Sequence, residues 1–196
     1  MPPASNLPAP NRQRVFDHRR IWRLQPKTFI TAAELLAEHE RPHRPDVVIA
    51  IARGGVPLGT ALGRLLDVPT VSIRLRHNRD DGLEVQATGR VDVVDCAALN
   101  QVVPGSRVLV ADDICGTGAT LSAVAALLQQ RLGSVGVRAV VLCRNAASYE
   151  LEGVASPDAW VWDICDWVVF PWEKATDALT EPLVVPTGVR AGEITC

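Results

Sequence analysis

Two adjacent carboxylates, Asp112 and Asp113, stand where a short apolar run, Val108 to Ala111, leads into a turn of small residues, Gly116-Thr117-Gly118-Ala119-Thr120. Each part has its own chemical use. The glycines let the backbone turn N–H groups inward, and a helical pattern through Leu132 puts a helix N-terminus behind them, which suits a phosphate dianion. Paired carboxylates beside that turn suit the hydroxyls of a ribose, with Mg²⁺ nearby. Ile114 and Cys115 link acids and turn, so residues 112–120 read as a ribose-phosphate cradle. A second unit repeats the design with a different charge. Asp46-Val-Val-Ile-Ala-Ile-Ala52 reads as a buried strand, Arg53-Gly54-Gly55 follows at once, and Pro57 suits the start of a helix to Leu66. The arginine calls for a second anionic group at that turn.

These turns need strands and helices to hold them. The runs at 46–52, 68–75, 108–111 and 135–143 have the near-continuous apolar character of strands buried on both faces of a parallel sheet. Asp112 and Asp113 then mark the expected end of one strand, and ligands of open α/β sheets sit just beyond such ends. Thr31-Ala-Ala-Glu34 has the form of a capping box, predicting a helix from there to Arg41-Pro-His-Arg-Pro45. Residues 15–29 mix apolar and basic groups and are expected to form a strand or a lid element. Residues 76–89 are polar, and Arg74, Arg76, His77 and Arg79 belong to or adjoin this loop. Four of the five tryptophans lie between Ser156 and Glu173. Residues 1–14 read as a mobile, Pro-rich arm, and 15–196 as a single domain.

Composition narrows the classes further. The chain has 196 residues, 47% of them hydrophobic, enough for one sizeable core. A net charge of −2 with no basic stripe argues against a nucleic-acid partner. No apolar run approaches the ~20 residues of a membrane span, and the start of the chain lacks a signal-peptide core, so no membrane partner and a cytoplasmic location are expected. The five cysteines, at 96, 115, 143, 165 and 196, form no Cys-x-x-Cys pair and suggest neither a disulfide framework nor a zinc site. Cys115, inside the phosphate turn, meets the need for a small side chain there, although a helix N-terminus can also activate a thiol. A Walker loop is absent. A dinucleotide fingerprint would place its acid about 20 residues after the turn, whereas here the acids precede it.

An apolar strand, two acids and a Thr-Gly-x-Thr turn resemble the phosphoribosyl diphosphate (PRPP) motif of type I phosphoribosyltransferases, and Arg53-Gly54-Gly55 resembles their pyrophosphate loop. The Trp-rich segment Trp167-Val-Val-Phe-Pro-Trp-Glu173 is similar to the base-binding hood of the bacterial and archaeal xanthine-guanine and hypoxanthine-guanine group. The resemblance implies an α/β fold: a mostly parallel central sheet flanked by helices, with a small C-terminal hood from about 145–196. It implies Mg²⁺-dependent transfer of 5-phosphoribosyl from PRPP to a heterocyclic nitrogen, with Asp112, Asp113 and Arg53 as catalytic residues. Residues 112–120 would hold ribose and 5-phosphate, Arg53, Gly54 and Gly55 pyrophosphate, and Asp112 and Asp113 the metal, directly or through water. Arg144, Trp167, Val168 and Glu173 would bind the acceptor, most simply a 6-oxopurine. In the family the 76–89 region is a loop that closes over the reaction, and the assembly is a homodimer or homotetramer.

One position departs from the resemblance. Purine enzymes of this group usually carry an Asp just before the Thr-Gly, as presumed general base, and this chain has Gly116. Three readings stay open: Asp163, Asp166 or Glu173 takes over, the acceptor needs no base, or the acceptor is not a 6-oxopurine. A transferase for another acceptor and a non-enzymatic PRPP sensor are the alternative functions.

Overall fold

The computed structural model describes residues 20–76, 91–133, 136–148, 155–174 and 178–192. The Pro-rich arm, His77, Arg79 and nearly all of the 76–89 loop lie outside that set. In chain order the elements are β1 (Ile21–Arg23), α1 (Pro26–Glu40), β2 (Val47–Ala52), α2 (Val56–Leu66), β3 (Thr70–Arg76), β4 (Asp92–Asp95), β5 (Val108–Cys115), α3 (Ala119–Leu132), β6 (Val137–Asn145), β7 (Ala159–Ile164), β8 (Trp167–Val169), β9 (Glu181–Pro182) and β10 (Arg190–Ala191).

The main sheet has the order β10-β7-β6-β5-β2-β3-β4. Its five inner strands are parallel, and β4 and β10 close the two edges antiparallel. This is the expected α/β architecture. From β2 the chain crosses through α2 outward to β3. From β5 it crosses through α3 the opposite way to β6. The strand order therefore reverses between β2 and β5, where open α/β sheets form their ligand crevice. A smaller parallel sheet, β8-β1-β9, joins a strand from before α1 to two from the C-terminal region.

Strand alternation builds two cores. Val48, Leu109, Ala111, Val140 and Leu142 face α1 and α2, meeting Leu36, Leu58 and Leu62, while Val47, Ile49, Val108, Val110 and Val141 face α3, meeting Val124 and Leu128. Burying each such side chain contributes ~1.5–3 kcal/mol. The smaller sheet docks on the α1–α2 side through Leu24, Val168 and Leu183.

Two expectations about boundaries are corrected. The helix predicted from Thr31 begins at Pro26, one turn and more earlier, and its N-cap Gln25 makes no side-chain capping bond. Proline presets the helical φ and lacks an N–H that would have been unpaired anyway. Thr31 therefore lies mid-helix, its hydroxyl turned back toward Lys27 O at 3.4 Å. The strand expected to end before Asp112 runs on to Cys115, because β6 continues to pair with it to Cys115↔Arg144 after β2 has left at Ala50↔Ala111.

Polar ties fix the amino ends of the strands. Glu40, wholly buried at the end of α1, accepts two hydrogen bonds from Arg138 at the start of β6, at 2.7 and 3.0 Å. Arg138 also reaches Asp158, whose other oxygen accepts the Ala139 N–H at 2.7 Å. Removing one member of a buried pair strands the other charge. Arg138→Met is therefore expected to lose about 3–5 kcal/mol in urea unfolding, while Glu40→Gln with Arg138→Met together should recover part of that loss.

Asp46 and Arg107 make a second tie, joining the starts of β2 and β5. Arg107 donates Nε, Nη2 and its backbone N–H to the Asp46 carboxylate. Those bonds, the side-chain ones foremost, hold the Asp46 carboxyl at about 2 rather than 3.8. A depressed carboxyl stabilises the fold above its unfolded value and loses that contribution as pH falls through the folded one. Asp46→Asn is expected to be less stable than the parent at neutral pH, with the gap closing between 3.8 and about 2 in denaturant titrations across pH.

Candidate active site

Both glycine-bearing turns meet at the carboxyl ends of β2 and β5. After β2 the cis Ala52–Arg53 peptide leads into Arg53-Gly54-Gly55, and α2 starts at Val56. A Cβ built on Gly54 would fall inside the Asp113 carboxylate, and one on Gly55 would strike Ala111 O and come within 2.8 Å of the Asp112 Cα. The absence of side chains at 54 and 55 is thus what lets the arginine turn close on the acid pair. Asp112 Oδ1 accepts the Asp113 N–H at 3.0 Å, and both side chains are partly exposed in the crevice.

Gly118 takes the left-handed φ of 73° as the N-cap of α3, a conformation that costs other residues a Cβ clash. Thr117 is 4% exposed, and its hydroxyl is buried with no hydrogen-bond partner. A buried hydroxyl left unsatisfied costs about 1–3 kcal/mol, and a ligand oxygen would relieve it. Cys115 is buried beneath the turn, its Sγ 4.0 Å from Ala155 O, which matches a packing role.

The carboxylates also bear on the metal. Among the described residues no group of three or more His, Cys, Asp or Glu could hold an ion. Two carboxylates suit Mg²⁺, which keeps waters and shares its coordination with substrate phosphates.

The carboxyl ends of β6 and β7 hold a cluster that the sequence did not reveal. Arg144 Nε donates to Asp163 Oδ1 at 2.7 Å, and the Arg144 guanidinium lies over the Trp160 ring, 3.8 Å from its centroid. Trp160 Nε1 donates to the same Asp163 oxygen at 3.0 Å, and Arg190 from β10 holds the other. Trp160 is thus both a buried core residue and the platform under Arg144.

A local break in alternation makes this possible. The ladders skip Asp113, Leu142 and Val161, and the neighbours Leu142 and Cys143, like Val161 and Trp162, both pack toward α1 and α2. Past that point Arg144 and Asp163 come to the side where Cys115 and Trp160 pack beneath α3.

Trp167 and Val168 lie on β8, reached from β7 through the Cys165–Asp166 turn. The Val169 carbonyl accepts the Leu24 N–H at 3.0 Å, so alternation turns the Val168 N–H and C=O away from β1, toward the outer edge of the smaller sheet. Trp167 is half-buried. Glu173 Oε2 accepts the Phe170 N–H at 2.9 Å, closing the turn. Trp172 stacks on Phe170 and meets Phe29 edge-on, while Trp162 Nε1 donates to Val184 O, so both serve packing. Arg74 lies beside Ala52 in the β2–β3 ladder, near the arginine turn.

The phosphoribosyl transferase domain family matches residues 24–178, and the chain belongs to it. Within that family it is similar to an HGPRTase-like protein of Halorubrum lacusprofundi, 36% identical over 110 residues covering 55% of this chain and 57% of that protein. It is also similar to the hypoxanthine/guanine phosphoribosyltransferase of Methanocella arvoryzae, 34% identical over 110 residues, 55% of this chain and 56% of the relative. The chain thus spans somewhat over half the length of these curated relatives. The crystal structure of a purine phosphoribosyltransferase from Pyrococcus horikoshii superposes with a TM-score of 0.66 at 25% identity, covering 82% of this chain and 99% of that one. No helix among the described residues is long and apolar enough to cross a membrane.

The two glycines should respond differently to a methyl group. At Gly54 the obstacle is the end of a side chain, which can swing aside; at Gly55 it is backbone. Gly55→Ala is expected to lose about 2–4 kcal/mol in chemical denaturation, and Gly54→Ala less than about 1 kcal/mol.

Proposed function

We propose that this chain transfers 5-phosphoribosyl from PRPP to a ring nitrogen of a 6-oxopurine and releases pyrophosphate. The observation that carries the reading is the contact of the Gly54 turn with the Asp113 carboxylate, which brings two anion-binding turns into one crevice at the strand-order reversal. One turn suits the 5-phosphate, the other the pyrophosphate, and the distance between those groups in PRPP is that of a single ribose.

In this reading Asp112 and Asp113 accept the ribose hydroxyls, and their negative charge favours the cationic C1 that develops as the bond to pyrophosphate breaks. The amides of 115–120 and the buried Thr117 hydroxyl hold the 5-phosphate. Arg53 and the amides of Gly54 and Gly55 hold the leaving pyrophosphate. Mg²⁺, held by Asp112 or Asp113 directly or through water, would supply charge neutralisation on the leaving group. Trp167 offers a flat stacking face, the Val168 backbone an edge, and Arg144 a donor to a ring oxygen. Relatives named for hypoxanthine and guanine support a purine, while the lack of an acid in the 115–120 turn favours, as a second reading, the same transfer to another heterocycle.

Pyrophosphate release from PRPP with Mg²⁺, measured across guanine, xanthine, hypoxanthine, adenine, uracil and orotate, is expected to show turnover with an oxopurine and none after chelation of the metal. Replacing both Asp112 and Asp113 by Asn should weaken PRPP binding by about tenfold or more, since each hydrogen bond to a charged group is worth ~1.5–3 kcal/mol. Unchanged PRPP affinity in that double variant would refute the cradle.

A further inference from the structure

We infer that Asp163 is a positioning residue for the transfer: with Trp160 and Arg190 it sets the direction of the Arg144 guanidinium, which then meets the oxygen of an oxopurine already aligned. The inference deepens the transferase reading above and rests on the use of Arg144 made there. What carries it is the convergence of three strands on one carboxylate.

Asp163 Oδ1 accepts the Arg144 Nε–H at 2.7 Å and the Trp160 Nε1–H at 3.0 Å, and Oδ2 accepts from Arg190. Both oxygens are therefore in use, by donors on β6, on β7 itself and on β10. Backbone register brings these donors together. Arg144 pairs with Asp163 in the β6–β7 ladder, and Arg190 pairs with Trp160 in the β10–β7 ladder. A guanidinium is rigid and planar, with five N–H donors in fixed directions, so two constraints orient all of it. The Nε bond fixes one edge, and the Trp160 ring, 3.8 Å away, fixes the plane. Trp160 is in turn held in the core beneath α3.

Such constraint has a use where a ligand must be met. An arginine without it gives up rotamer freedom on binding, and that cost weakens the contact. The side chains of Arg144 and Asp163 are 23% and 21% exposed, so they can be reached while the bonds between them are partly shielded from water. Arg144 is also the ladder partner of Cys115, the residue before Gly116 and the turn that would hold the 5-phosphate. The cluster thus borders the crevice of Asp112, Asp113 and the arginine turn but takes none of its residues from it. Loss of Asp163 should leave PRPP binding in place and free Arg144 to swing.

The test is a double-mutant cycle in the full chain with PRPP, Mg²⁺ and whichever of guanine, hypoxanthine and xanthine turns over fastest. Asp163→Asn is expected to raise the acceptor KM by about tenfold or more, with kcat and the KM for PRPP within about threefold of the parent. In an Arg144→Met background the same substitution should change the acceptor KM by less than about twofold, because no guanidinium is left to aim. Where the acceptor does not saturate, kcat/KM is compared in its place. A purely structural role would act by the same factor in both backgrounds. Arg190, 60% exposed on a two-residue edge strand, offers a second variant with little bearing on folding. Arg190→Gln should raise the acceptor KM by about threefold in the parent and leave it unchanged in Arg144→Met.

An acceptor KM within about twofold of the parent in Asp163→Asn, or equal factors in the two backgrounds, would overturn the inference while the transferase reading stands. A collapse of kcat in Asp163→Asn at an unchanged acceptor KM would make that carboxylate the base and overturn it equally. If Asp163→Asn does not fold, Arg190→Gln decides by the same comparison. Failure of all three oxopurines to turn over with PRPP bound would remove the inference together with the purine reading. Failure to bind PRPP would instead refute the transferase reading itself.

Discussion

The crevice depends on one close approach: the backbone after β2 passes against the end of β5 with no side chain between. Gly55 has Ala111 O and the Asp112 Cα where its Cβ would be, and Gly54 has the Asp113 carboxylate. Parallel neighbours in a sheet stand about 4.8 Å apart, so two turns leaving adjacent strands can share one ligand only if neither fills the gap. The reversal of strand order between β2 and β5 supplies the opening, and the glycines keep it narrow.

The two ends of the sheet are held together by different means. At the amino ends, charged side chains do the fastening: Arg138 on Glu40 and Asp158, and Arg107 on Asp46. At the carboxyl end of β2 the turn is held within itself by backbone, through the hydrogen bonds of Gly55 N to Ile51 O and Gly59 N to Gly55 O, each at 2.8 Å. Backbone amides near an anion cannot be lost by side-chain motion, and they cost little reorganisation when charge arrives.

The two strand-turn-helix units around the glycine turns were readable in the sequence because their parts are contiguous. Asp112 to Thr120 is one uninterrupted segment, Arg53 to Gly55 another, and the strand-turn-helix order around each is fixed by apolar runs whose period needs no tertiary knowledge. The boundary errors have local physical causes. Pro26 starts α1 before the Thr31 capping pattern could, and β6 extends β5 past the acids that were taken to end it. Strands β9 and β10, of two residues each, are set by pairing partners far away in the chain, and so is the edge strand β4, whose residues are exposed throughout. None has a pattern of its own to read.

The cluster at the ends of β6 and β7 could not be read the same way, because its logic lies in a change of face. Alternation alone would put Leu142 and Cys143 on opposite sides of the sheet, and likewise Val161 and Trp162; each pair in fact packs on one side. That shift, shared by neighbouring strands where their ladders skip, carries Arg144 and Asp163 to the side of Trp160, and no spacing in the sequence announces it. The glycine turns follow β2 and β5, whereas the Arg144–Asp163–Arg190 cluster belongs to β6, β7 and β10 and is held by side chains. Side-chain ties on outer strands can be exchanged without disturbing the central crevice. Gly116 follows Cys115, the ladder partner of Arg144, and the turn there asks only for a small residue.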